Sequence, residues 1–298
     1  MPEYRSLERL AAEAEARQLS IGGLVLEDAV ATGEGREPLL ARMGEHLAVM
    51  RASVERGLTE APPSHSGLVG REGRLMEQAR RGRRTLSGEA TAMAAARAMA
   101  VACVNAAMGK VVAAPTAGSC GVLPGALLTV AGDLGSSEAE LVMALFTAAG
   151  IGQVIASQAF LAGAEGGCQA ECGAAAAMAA AAVVELAGGS PTAAVNAAAL
   201  VFKGCIGLVC DPVAGLVEVP CVKRNGLFAA NALVAADMSL AGIQTVIPPD
   251  EVLQAVREVG RGLPASLRET AGGGLAATAT ARSLERVIFG SQRDGAPS

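Results

Sequence analysis

The sequence predicts a mostly α protein, a multi-helix Ala/Gly-rich domain with candidate metal-binding loops at helix ends. Three observations carry that prediction. Apolar residues recur at helical spacing, no segment of any length alternates with the period of a strand, and no internal repeat interrupts the pattern. Aromatic residues are nearly absent: the 298 residues include no Trp, one Tyr and five Phe. An apolar share of 51% must therefore form its core from small-residue helices in close approach.

The elements follow in order. Residues 4–18 read as an amphipathic helix with Leu7, Leu10, Ala11 and Ala14 on one face. A glycine-rich gap follows, with a short apolar segment at 21–26. Pro38 suits the first turn of a helix with apolar positions Leu39, Leu40, Met43, Leu47, Met50 and Val54. Together these predict an N-terminal helical segment, residues 1–60, packing on a main body of residues 61–298. Residues 61–88 change character, with six Arg between Arg71 and Arg84, and read as a solvated loop and helix face. An Ala/Met helix is expected over 89–108, and a Gly-rich loop at 116–121 opens the next one. Ser137 and Glu140 form a capping-box signature for a long uncharged helix across 141–164. Glycines over 163–173 read as a break, followed by a helix over 174–186 and another that starts at Ser190-Pro191 and runs to Phe202. A helix over 227–240, one started by Pro248-Pro249-Asp250 and a turn, RETAGGGL, complete the chain.

Charge and composition exclude several functions. A net charge of −5 and no aromatics interleaved with the arginines argue against a nucleic-acid partner. The run over 141–164 is long enough to span a bilayer. However, Gln153, Ser157 and Gln158 interrupt it, and Glu140 and Glu165 flank it without Lys or Arg, so it reads as a buried helix and not a membrane span. The charged, amphipathic N-terminus is not a secretory signal, which predicts a reducing, cytoplasmic location.

Five of the seven cysteines fall between Gly163 and Asn225. Cys168, Cys210 and Cys221 lie in small-residue or Pro contexts that can aim thiolates at a shared point, as a metal or iron–sulfur cluster requires. Free Cys is also a common small core residue, and a closed structural zinc site is another use of such thiols. The loop TAGSCG, with Thr116, Gly118, Ser119 and Gly121, offers backbone N–H groups and hydroxyls to an anion, or is an ordinary helix connection. The polar turn at 64–67 can face a small anionic substrate.

The segments APTAGSCGVLPGAL, GAEGGCQAECG, GLVCDPVAGLVEVPCVKRN and RETAGGGLAAT resemble the catalytic segments of the iron–sulfur L-serine dehydratases. More narrowly, the chain is similar to the α chain of the two-chain bacterial form, across residues 64–280. The resemblance implies a [4Fe–4S] cluster held by Cys168, Cys210 and Cys221, spaced by 42 and 11 residues. It implies elimination of water from L-serine to give pyruvate and ammonia without pyridoxal phosphate. The fourth iron, left without a cysteine, would act as a Lewis acid.

The same resemblance implies that Thr116, Gly118, Ser119 and Gly121 hold the substrate carboxylate, with Ser64, Ser66 and Gly67 near the site. Arg224 and Asn225 would supply charge or orientation. His65 and Lys203 are the candidates for the α-proton base, whereas His46 reads as structural. Cys103, Cys172 and Cys205 read as core cysteines, and Cys120 is open. Single-chain members carry an additional N-terminal domain, so a separate β chain and a hetero-oligomer are expected here. Some of those members also end in a cysteine, but none follows Cys221 in this sequence. The nearest alternative is the related L-cysteine desulfidase.

Overall fold

The computed structural model describes residues 4–293, so the extreme ends of the two predicted segments, 1–3 and 294–298, lie outside the described residues. Thirteen α-helices and no strand occur among the described residues. They are α1 (Leu7–Ala16), α2 (Ile21–Ala31), α3 (Arg36–Thr59), α4 (Glu72–Arg81), α5 (Glu89–Ala106), α6 (Val122–Leu134) and α7 (Glu138–Gln158). The chain continues with α8 (Gly163–Gly166), α9 (Cys168–Leu186), α10 (Pro191–Lys203), α11 (Cys221–Leu240), α12 (Pro249–Gly262) and α13 (Ala279–Arg293).

Serine starts four of these helices. The hydroxyls of Ser6, Ser20, Ser137 and Ser190 each accept an N–H from the first turn, satisfying a donor that the helix itself leaves orphaned. At Ser137 the reciprocal Glu140 bond completes the capping box, as the sequence predicts. Pro191 opens α10 and Pro249 opens α12, where a missing N–H costs nothing.

The core is centred on α9, which is enclosed by α6, α7, α10 and α11. Its alanines from Ala174 to Ala182 are fully buried apart from the intervening Met178, which is nearly so. A helix clad in Ala has a thin profile, so its neighbours approach closely and every side gains contact. A second Ala-rich helix, α5, packs against α3, α4, α6 and α11. Both α7 and α9 are long and apolar enough to cross a bilayer, but 67% and 89% of their apolar windows are buried inside the protein.

Four boundaries differ from the sequence reading. The apolar segment at 21–26 is the first half of an 11-residue helix. Gly22 is the point at which α2 meets the Met143 carbonyl of α7, and any Cβ would collide. The helix expected to run to 164 ends at Gln158. The expected break over 163–173 is only partial: α9 already begins at Cys168. Likewise α11 begins at Cys221, six residues before the expected start at Leu227. Two of the three candidate metal ligands therefore open helices instead of lying in loops, whereas Cys210 lies in the extended segment between α10 and α11.

Candidate active site

All seven cysteines are free and buried. Cys168 is the first residue of α9, and the backbone reaches it through Gly167 at φ +76°, a conformation that favours glycine. Cys210 is held on both sides by the returning chain. Its N–H donates to the Leu267 carbonyl (2.9 Å), and its own carbonyl accepts from the Glu269 N–H (2.7 Å). The thiol of Cys210 backs onto Gly163. Cys221 opens α11 directly after a cis Val219-Pro220 bond.

The three sulfurs sense one another. The Cys172 thiol donates to Cys168 and, helped by the Arg224 charge, pulls the Cys168 thiol below its ordinary value. Burial and then the Cys168 charge push Cys210 up strongly and Cys221 up to about 12. Three thiolates cannot share this buried space unless a cation offsets them. No set of three or more His, Cys, Asp or Glu among the described residues is arranged around a single metal ion. Three buried thiols are a donor set that iron–sulfur and zinc sites both use.

A polar shell ties the surrounding segments together. Asp211 accepts from Arg224 Nη2 (2.8 Å) and from the Leu275 N–H (2.8 Å), locking the Cys210 segment to α11 and to the glycine-rich turn near 272–275. Arg224 Nη1 also donates to the Val209 carbonyl (3.0 Å). Glu218, buried just before Cys221, accepts from Ser64 Oγ (2.6 Å), from the Ser66 hydroxyl and from the Ser66 N–H. The serine turn at 64–67 is thereby latched to the start of α11. Asn225, fully buried, accepts from the Gly121 N–H (2.9 Å) and donates to the carbonyls of Gly118 (2.7 Å) and Cys221 (3.0 Å). Its amide is fully engaged in fastening the Gly-rich loop to α11.

That loop has donors to spare. The N–H groups of Thr116, Ala117, Gly118 and Ser119 have no protein acceptor among the described residues. The hydroxyls of Thr116 and Ser119 lie 3.0 Å apart, and Thr116 Oγ1 donates to Glu171 Oε1 at 2.5 Å. The Glu171 carboxylate lies against Gly118 and close to Gly163, one turn of α9 beyond Cys168. Burial raises its affinity for a proton, against the opposing hydrogen bond from Thr116.

The structure thus brings together 64–67, 116–121, Cys168, Cys210, Cys221, Arg224 and Asn225. The two candidate bases differ: His65 is carried by the 64–67 turn itself, whereas Lys203 lies outside this network. His65 is exposed, with its backbone N–H on the Ala106 carbonyl, and the exposed Lys203 donates through Nζ to the Thr245 carbonyl. Sequence reasoning missed Glu171, Glu218 and Asp211. Glu171 was available in the motif GCQAECG, three residues and hence one helical turn after Cys168, but only if α9 is known to start there.

These features define a class: a small-residue helical protein whose buried thiols, carboxylate and N–H-rich loop meet at one polar centre. The chain belongs to the serine dehydratase alpha chain family, whose model matches residues 16–276. It is 46% identical over 288 residues to the probable L-serine dehydratase, alpha chain of Bacillus subtilis (strain 168), covering 96% of each chain. Its identity to the L-serine dehydratase, alpha chain of Peptoniphilus asaccharolyticus is 42% over 272 residues, 91% of this chain and 93% of that one. L-serine dehydratase 2 of Escherichia coli (strain K12) is 36% identical over 284 residues, which are 92% of this chain and 61% of the relative.

Proposed function

We propose that this chain is the α chain of an L-serine dehydratase that converts L-serine to pyruvate and ammonia. The observation that carries the reading is the meeting of Cys168, Cys210 and Cys221 with Glu171 and the unsatisfied N–H groups of 116–119. The rivals read from the sequence, an L-cysteine desulfidase and a structural zinc protein, are not favoured, since the similar chains are named as serine dehydratases.

In this reading Cys168, Cys210 and Cys221 hold a [4Fe–4S] cluster, and no pyridoxal phosphate takes part. When bound, the cluster supplies a Lewis-acidic iron that eases departure of the substrate 3-hydroxyl. The chain does the rest. The N–H groups of 116–119 and the Ser119 hydroxyl take the substrate carboxylate, while the Thr116 hydroxyl is committed to Glu171. The Thr116 bond orients Glu171, which accepts the α-proton as the C–O bond breaks, and burial keeps that carboxylate basic enough for the task. Loss of water leaves an aminoacrylate, which tautomerises to an imine and hydrolyses to pyruvate and ammonia. Glu171 thus replaces His65 and Lys203 as the preferred base. Asn225 and Glu218 position the Gly-rich loop and the 64–67 turn.

Residues 1–60 serve as a helical brace and 61–298 as the catalytic body. A separate β chain completes a hetero-oligomer, and seven reduced thiols suit the cytoplasm.

The test is anaerobic purification, iron and sulfide reconstitution, absorbance spectra and pyruvate assay, with and without the β chain. Iron–sulfur absorbance that is lost in each of Cys168→Ser, Cys210→Ser and Cys221→Ser, together with serine-dependent pyruvate, is the expected result. A colourless protein, or one that keeps its iron in all three variants, sinks the metal assignment. Full cluster content without any turnover in the two-chain mixture sinks the substrate assignment.

A further inference from the structure

Away from the cysteines, a cavity of about 480 Å³ opens between α3, the end of α4, α5, α6 and the start of α7. That volume falls within the range of small-molecule pockets. Its wall is two-sided in chemistry. Leu58 and Leu128 line an apolar part, whereas Arg51, Arg81 and Arg97 supply three guanidinium groups against a single lining carboxylate, Glu55.

The three arginines are not equivalent. Arg51 pairs with Glu138 at 2.9 Å and Arg81 with Glu77 at 2.7 Å; both arginines are exposed, whereas the Glu77 side chain is largely buried. Arg97 is half-buried and forms no ion pair among the described residues. Its one hydrogen bond runs from Nη1 to Thr129 Oγ1 (3.1 Å), and that hydroxyl is itself committed to the Gly125 carbonyl (2.7 Å). Burial weakens its hold on its proton most, the Arg80 charge acts the same way, and the Glu77 and Asp133 carboxylates oppose both. A half-buried guanidinium with free donors on a cavity wall is costly unless an anion shares it.

We propose that this cavity binds a small carboxylate with an aliphatic arm, the carboxylate on Arg97 and the arm on Leu58 and Leu128. The fork of a guanidinium matches a carboxylate through two parallel hydrogen bonds, and the leucines favour an apolar tail over a hydrated one. The site is separate from the cysteine centre but borders it. Arg97 precedes Ala98, whose carbonyl abuts Gly121 of the Gly-rich loop, so both sites rest on one turn of α5.

The test is titration calorimetry on the full-length chain with 3-methylbutanoate, 3-methylbutanamide and acetate, which needs neither cluster nor turnover. Saturable one-to-one binding of 3-methylbutanoate is expected, with the neutral amide weaker by about tenfold or more. Acetate, which has the head without the arm, is expected to bind more weakly too. Arg97→Gln should weaken 3-methylbutanoate by about tenfold or more. Absence of saturable binding overturns the proposal, as does equal binding of the amide. Undiminished affinity in a folded Arg97→Gln chain overturns it as well. Should that variant fail to fold, the carboxylate-to-amide ratio on the unaltered chain decides.

Discussion

Two glutamates on one helix show how position decides chemistry. Glu171 lies near the start of α9 and Glu185 near its end, and burial raises the proton affinity of both. Glu185 accepts from the Ile21 N–H (2.6 Å), the Gly22 N–H (3.4 Å) and Thr147 Oγ1 (2.5 Å). It closes off donors at the start of α2, which that helix cannot satisfy internally. Glu171 has a single hydroxyl donor, Thr116, and otherwise faces the thiols and an N–H-rich loop. A carboxylate surrounded by donors is a structural staple, and one left half-satisfied in a buried polar centre is available for proton transfer.

The comparison is broken most directly at Glu171. Glu171→Gln is expected to lower kcat by about a hundred- to ten-thousandfold, with the unfolding midpoint unchanged or higher. Glu185→Ala should do the reverse, leaving kcat intact and destabilising the fold by about 1–3 kcal/mol in denaturant titration. If the two variants exchange behaviours, the assignment of roles is wrong.

The pH dependence sharpens the contrast. Because the folded value of Glu185 is raised above the ordinary 4.5, its contribution to stability is complete below 4.5 and lost as pH climbs through the folded value. The stability profile of Glu185→Gln should therefore be flatter over that window. Glu171 must be ionised to accept a proton, so the acid limb of kcat against pH should lie above 4.5. The smallest effects belong to the two threonines. Thr116→Val removes a bond that stabilises the ionised Glu171 and should move that acid limb to higher pH. Thr147→Val should cost about 0.5–1.5 kcal/mol of stability without moving the pH–rate profile.

Most helices were legible because their signals are local. Ser137 with Glu140, Ser190 with Pro191, and the apolar stripe of α1 each lie within a turn or two of the structure they specify. The starts of α9 and α11 were not legible. Glycine and proline around Cys168 and Cys221 are loop formers by propensity, but the packed core rewards continuing each helix up to its thiol. For the same reason no local signal sets Glu171 apart from the glycines beside it.

The helical class and the Ala-rich core are written in the sequence alone, since each depends on residue type and short-range spacing. Only the tertiary structure decided which polar groups work together. Asn225 reaches Gly121 across 104 residues, Ser64 reaches Glu218 across 154, and Thr116 reaches Glu171 across 55. Such pairs carry no local periodicity. They form because packing the small-residue helices leaves buried donors and acceptors that must find one another once water is excluded.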